Sequence, residues 1–136
     1  MLRMDGEVDG TPRVGSDRFY QAGIGNDRNT TFINSATGAR VCEQFAATVS
    51  QGSVQLSNAV TPPSAFSIVG AHGTNYVGGA ANGVVATPDT VATYVTPSVL
   101  HIGSNGGSSD FAYLTLNDIR LVTGAPTTPK VTELAG

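Results

Sequence analysis

The sequence predicts an all-β fold, an antiparallel β-sandwich of jelly-roll type, on three observations. Of 136 residues 17 are Gly and only 12% are charged, with Thr, Ser, Asn and Ala plentiful and Trp absent. That makeup suits short strands joined by tight turns and excludes helical bundles and coiled coils. Short β-prone runs recur along the chain between clusters of Gly, Pro, Asn and Ser. A helix signal is confined to the last residues, and the length suits one domain.

Residues 1–17 (MLRMDGEVDGTPRVGSD) follow neither a period of two nor of 3.6, and Gly6, Gly10, Pro12 and Gly15 interrupt regular structure. This segment is expected to be an extended N-terminal arm, either poorly ordered as terminal arms usually are or docked on a neighbour with Leu2, Arg3, Met4, Val8, Arg13 and Val14 as anchors. The sandwich is expected over 18–125. Arg18 to Ala22 and Thr30 to Asn34 are its first strands, separated by the turn-rich Gly23 to Asn29. Ser35-Ala36-Thr37-Gly38 predicts a hairpin turn with Gly38 at positive φ, returning the chain along Ala39 to Ser50. In that return strand Val41, Phe45 and Ala47 share a phase with Glu43 and alternate with Cys42, Gln44 and Ala46, so the inward face is open at this point.

Gln51-Gly52 is expected to turn the chain into a short strand, Ser53 to Leu56, before a loop from Asn58 to Ser64 in which Pro62 and Pro63 preclude a central strand. Ala65 to His72 places Phe66 and Ile68 on one face. Asn75 to Ala86 predicts a hairpin turning at Asn82-Gly83. Ser98 to Gly103 and Phe111 to Val122 complete the strands. Leu114 and Leu116 are out of phase with Ile119 and Leu121, which predicts a bulge near Asn117-Asp118. In the tail, 126–136, Thr128 before Pro129 predicts one helical turn.

A net charge of -3 and scattered Lys and Arg leave no basic field for a phosphate backbone, so nucleic acid is not an expected partner. No run approaches the roughly 20 apolar residues of a membrane span, and the first ten residues lack the basic and apolar regions of a signal peptide. Cys42 is the single cysteine, which excludes an internal disulfide and a clustered-thiolate metal site.

The run Ser98-Val99-Leu100-His101-Ile102-Gly103-Ser104-Asn105-Gly106-Gly107, followed by Phe111-Ala112-Tyr113-Leu114-Thr115-Leu116-Asn117-Asp118-Ile119-Arg120-Leu121, resembles the closing strands of concanavalin A-like lectin/glucanase (LamG-like) sandwiches, especially those of bacteriophage tail and virion proteins. There a strand ending in Ile-Gly enters a Gly/Asn/Ser loop and is followed by a strand bearing Asp-Ile-Arg, as at Asp118 to Arg120. The Gly/Asn/Asp loop before Thr30, the Thr37-Gly38 turn, the Ala65 to Val69 strand and the Thr-x-x-Glu-Leu-like ending are similar too. The resemblance covers 18–134 and departs from the family in lacking initial strands before Arg18 and in lacking Trp. A sandwich so shortened would expose sheet edges that another chain must cover.

Glucanases of that family use paired carboxylates, and no Glu-x-Asp-x-x-Glu pattern exists here; Glu43 stands alone between Glu7 and Glu133. His72 beside Gly73 is expected in a loop and His101 packed in a strand, with no Gly-x-Ser-x-Gly elbow to complete a triad. Gly103 to Gly107 lacks the Lys-Ser/Thr ending of a phosphate cradle. Asp27, Asn29, Asn105 and Asp110 are hard oxygen ligands without a calcium-loop spacing. No metal, cofactor or catalytic residue is therefore expected. For sugar binding, Tyr76 with Asn75 and Asn82, and Tyr113 with Asp110 and Asn105, offer a ring face beside amide and carboxylate groups.

The expected function is that of a non-enzymatic bacteriophage virion protein, assembled in the host cytoplasm. It would be a fibre or receptor-facing module, or a capsid decoration (cement) protein anchored by residues 1–17. The absence of a long shaft favours a small free-standing piece. Its expected partners are other capsid or tail proteins, a host surface glycan and copies of itself. The resemblance implies trimers, and no membrane insertion is expected. A polysaccharide-cleaving enzyme is the remaining alternative.

Overall fold

A computed structural model describes residues 1–8, 17–58, 63–104 and 113–136. In chain order the elements are β1 (Leu2–Val8), β2 (Asp17–Ile24), β3 (Asp27–Ile33), β4 (Arg40–Ala46), β5 (Val49–Ser57), β6 (Ser64–Gly73), β7 (Tyr76–Ala81), β8 (Val84–Val85), β9 (Leu100–Ile102), β10 (Leu114–Leu121) and α1 (Thr128–Ala135). They form two five-stranded antiparallel sheets, ordered β10-β1-β6-β7-β8 and β5-β4-β3-β2-β9, so the expected all-β sandwich is the architecture found.

Alternation along the strands fills the space between the sheets. Leu2, Met4, Val8, Phe66, Ile68, Val77 and Ala81 come from the first sheet and Phe19, Tyr20, Ile33, Cys42, Val54 and Leu56 from the second. Phe19 meets Phe66 edge-on with ring centroids 4.8 Å apart. Each fully buried Leu, Ile, Val, Phe or Met among them contributes about 1.5–3 kcal/mol by leaving water. Segment 86–99 then crosses from the first sheet to the second. Asp89 bridges to Val77, Ala92 is buried, and the carbonyls of Thr93, Val95 and Val99 accept from Gln44, Asn29 and Gly23.

The expected arm is corrected over its first half. Leu2–Val8 is the second strand of the first sheet, hydrogen-bonded to β10 on one side and to β6 on the other. Leu2, Met4 and Val8 are core residues rather than anchors for a neighbour, and Arg3 holds Asp5 at 2.8 Å and the Leu134 carbonyl at 2.7 Å. The alternation is masked in the sequence by Gly6, which occupies an inward position where β10 bulges. A Cβ there would lie 2.0 Å from the Thr115 carbonyl oxygen, so no larger residue fits. Arg13 and Val14 lie outside the described residues. The expectation that no strand precedes Arg18 is corrected by the same segment.

Two further corrections concern a turn and the tail, and the face of β4 that the alternation left open is decided. The turn after β4 falls at Ala47-Thr48, both at positive φ, and Gly52 lies within β5 opposite Gln44. A Cβ at Gly52 would crowd the Asp89 carboxylate and Val77 at 3.1–3.2 Å, so glycine fits there without displacing either side chain. The inward face of β4 is Arg40, Cys42 and Gln44, the more polar set. The tail is an integral layer: Thr127 caps α1, and Val131 and Ala135 cover Val69, Ala71, Tyr76 and Ala80 on the outer face of the first sheet. The Gly38 turn, the Asn82-Gly83 turn with φ of 49° and 79°, and the bulge near Asn117 occur where expected.

Candidate functional site

The residues expected to bind sugar do not converge. Tyr76 is only 7% exposed, its ring packed beneath α1. Asn75 and Asn82 occupy turns at opposite ends of β7, about 20 Å apart at strand rise. Asn82 uses its Oδ1 to accept from the Ser67 amide at 2.9 Å. Tyr113 is 48% exposed at the start of β10, while Asn105 and Asp110 lie outside the described residues. Glu43 points from the outer face of β4 and accepts from the Ser50 hydroxyl at 3.0 Å. Among the described residues no three His, Cys, Asp or Glu side chains gather as a metal site would require.

Two other features stand out. The first is a polar knot between the sheets. His72 is in phase with Phe66 and Ile68 on β6 and so points inward, contrary to its expected loop position. Its Nε2 lies 3.2 Å from the Glu43 carbonyl oxygen and 3.2 Å from Cys42 Sγ, and its Nδ1 lies 3.3 Å from the Tyr20 hydroxyl. A carbonyl oxygen only accepts, which assigns the proton to Nε2; Nδ1 then accepts from the tyrosine O–H. Gly70 makes room for that hydroxyl, since a Cβ there would come within 1.9 Å of it.

Burial sets the charge of this knot. It lowers the His72 pKa to about 4, raises the Cys42 thiol to about 11 and raises the Tyr20 phenol well above its ordinary value. At neutral pH all three are uncharged, so the pair holds neither the thiolate nor the imidazolium on which Cys–His nucleophilic chemistry depends. Its chemistry is that of a brace between the sheets. Nearby on the same inward face, Arg40 is 1% exposed, and none of its three guanidinium nitrogens has a hydrogen-bond partner among the described residues. Burial lowers its pKa.

The second feature is the side of the sandwich where β10 and β9 end their sheets. β9 has only three residues, too few to cover the inward face of β10. Ile119 is left 44%, Leu121 68% and Leu100 41% exposed. A cleft of about 250 Å³ runs between Leu121 and Leu100, lined also by Ala22, Pro97 and Val99. On the opposite side, between β5 and β8, a trough of about 590 Å³ is lined by Ser53, Gln55, Ser57, Val84 and Thr87 among others, with no titratable side chain.

Fold and site together define an antiparallel two-sheet sandwich with an uncharged polar knot at its centre and an apolar seam along one side. No family model, curated protein or solved structure matches the chain.

Proposed function

We propose that the chain is a non-enzymatic structural module of a bacteriophage virion, working through protein contacts as a capsid-surface or fibre/receptor-facing piece. The observation that carries this reading is the seam between β9 and β10, where Ile119, Leu121 and Leu100 remain in water and the two leucines flank an apolar cleft. Apolar rows at the ends of sheets are a liability in a solitary molecule and the ordinary property of one that another chain completes. The likeness of residues 98–121 to the closing strands of phage lectin-like sandwiches supplies the virion setting. Because residues 2–8 are committed to the first sheet, attachment would run through sheet edges rather than through a free arm spanning 1–17.

A glycan contact is a second reading, favoured by the exposed ring of Tyr113. The virion reading is tested by inducing phage from the host that encodes the chain, purifying particles and quantifying the protein by mass spectrometry. Enrichment with the particles is expected, hundreds of copies placing it on the shell and a few in the tail. Recovery only in the particle-free fraction overturns the reading. Loss of glycan-array binding in Tyr113→Ala is expected if a sugar is bound, and an array without signal removes that role.

A further inference from the structure

We infer that the exposed edge of β10 is an isologous interface, on which a second copy of this chain pairs antiparallel about a two-fold axis through Ile119. The inference rests on the preceding reading of the seam as a contact surface and names what fills it.

The hydrogen-bond phase of β10 points the right groups outward. Met1 and Val122 exchange both backbone bonds, Val122 N–H to the Met1 carbonyl at 2.9 Å and the Met1 amino group to the Val122 carbonyl at 2.8 Å. In an antiparallel ladder bonded and non-bonded pairs alternate, so Arg120 and Asp118 also bond towards β1. The N–H and C=O groups of Leu121 and Ile119 therefore face away from the sheet, along an edge that no strand among the described residues occupies. Pairing Ile119 with Ile119 of a second copy would satisfy both residues with two reciprocal bonds.

The charges choose the same axis. Across β1 and β10 like charges stand directly opposite one another, Arg3 against Arg120 and Asp5 against Asp118, an unfavourable arrangement that each strand offsets along its own length. Arg3 reaches Asp5 at 2.8 Å, and Arg120 reaches Asp118 at 2.6 Å. A second β10 centred on Ile119 sets its Asp118 beside Arg120 and its Arg120 beside Asp118, in the pairs where side chains approach most closely. Each row of like charges then ends on its opposite. On the other face the same axis brings the two Ile119 side chains together and covers part of the exposed Leu121. By the same symmetry the Asn117 bulge of each copy interrupts the ladder at both ends, so the contact is short and the dimer reversible. The symmetry is two-fold, in contrast to the threefold arrangement implied by the family resemblance.

Sedimentation equilibrium of the full chain, from micromolar to millimolar concentration, tests this. The wild-type protein is expected to approach twice its 13.9 kDa mass as concentration rises. Asp118→Arg, which sets arginine against arginine across the axis, should remain monomeric at every concentration with an unchanged circular-dichroism spectrum. The exchange Asp118→Arg with Arg120→Asp should restore the dimer. A wild-type monomer throughout, a trimer, or a dimer indifferent to Asp118→Arg overturns the inference. A monomer that still co-purifies with virions would sink the pairing alone, whereas a dimer absent from virions would sink the virion reading alone.

Discussion

Lowering the pH from 7 to 4 puts the buried histidine to a quantitative test. In the unfolded chain His72 titrates near the ordinary value of about 6.5, whereas in the folded protein desolvation lowers it to about 4. Between these values the unfolded chain binds a proton that the folded protein does not, so stability falls as pH falls and levels off once the folded group also protonates. At 1.36 kcal/mol per unit of pKa difference the loss is about 3 kcal/mol, a large share of the roughly 5–15 kcal/mol that holds a domain folded. Asp5, whose pKa is lowered with Ser67 and Arg3 hydrogen-bonding its carboxylate, adds its own acid-side loss, so the comparison must be differential. His72→Gln keeps a polar side chain at the site and removes the titration. Urea unfolding at pH 7, 6, 5 and 4 should show the wild type losing about 3 kcal/mol more than the variant, mostly between pH 6.5 and 4. Parallel curves for the two proteins, or an NMR titration of His72 centred near 6.5, would refute the reasoning.

Other substitutions probe the rest of the fold. Gly70→Ala drives a methyl to within 1.9 Å of the Tyr20 hydroxyl, and thermal melts should show a loss of about 1–3 kcal/mol or more as the knot is forced apart; an unchanged melting point would contradict the packing. Arg40→Met should stabilise the protein by about 1–4 kcal/mol in denaturant titration, since a buried guanidinium with no partner among the described residues gives way to an apolar chain of similar length. Destabilisation would mean that the guanidinium has a counter-ion. The Cys42 thiol, fully buried with a pKa raised to about 11, should react with a thiol reagent only as the protein unfolds; rapid labelling of the native protein would count against its place in the core. Val131→Ala should cost about 1–2 kcal/mol by uncovering the outer face of the first sheet, and a neutral result would detach α1 from the fold.

Turn chemistry made much of the fold legible in the sequence. Asn82-Gly83 and Gly38 mark their hairpins because few residues tolerate positive φ, and the slip of phase in 114–121 reveals the bulge directly. Where reading went astray, a glycine answered a tertiary contact rather than a turn. Gly6 interrupts a true alternation in 2–8 because the bulged β10 crowds it, and Gly52 accommodates Asp89 from the distant crossing segment. Such contacts have no local signal. Ala47-Thr48 turns the chain without a glycine, so propensity pointed to the wrong pair. The polar knot was partly legible: His72 shares the phase of Phe66 and Ile68, which already directs it inward. That Tyr20, Cys42 and the Glu43 carbonyl meet it depends on pairings across two sheets, information that no single strand carries. The face of β4 stayed open in the sequence for the same reason, since the choice of Arg40, Cys42 and Gln44 as the inward set depends on what the facing sheet brings to it.

Backbone amide exchange along β10 examines the seam with its own internal reference. The Asp118, Arg120 and Val122 amides bond to β1 in the single chain, while those of Ile119 and Leu121 face the open edge. At concentrations where copies associate, the Ile119 amide should become protected alongside its neighbours, with Leu121, opposite the bulged Asn117 of the second copy, protected less, and Asp118→Arg should abolish the Ile119 protection while leaving the others intact. Rapid exchange of Ile119 and Leu121 at every concentration, beside protected Arg120 and Val122, would contradict the idea that another chain completes this side of the sandwich.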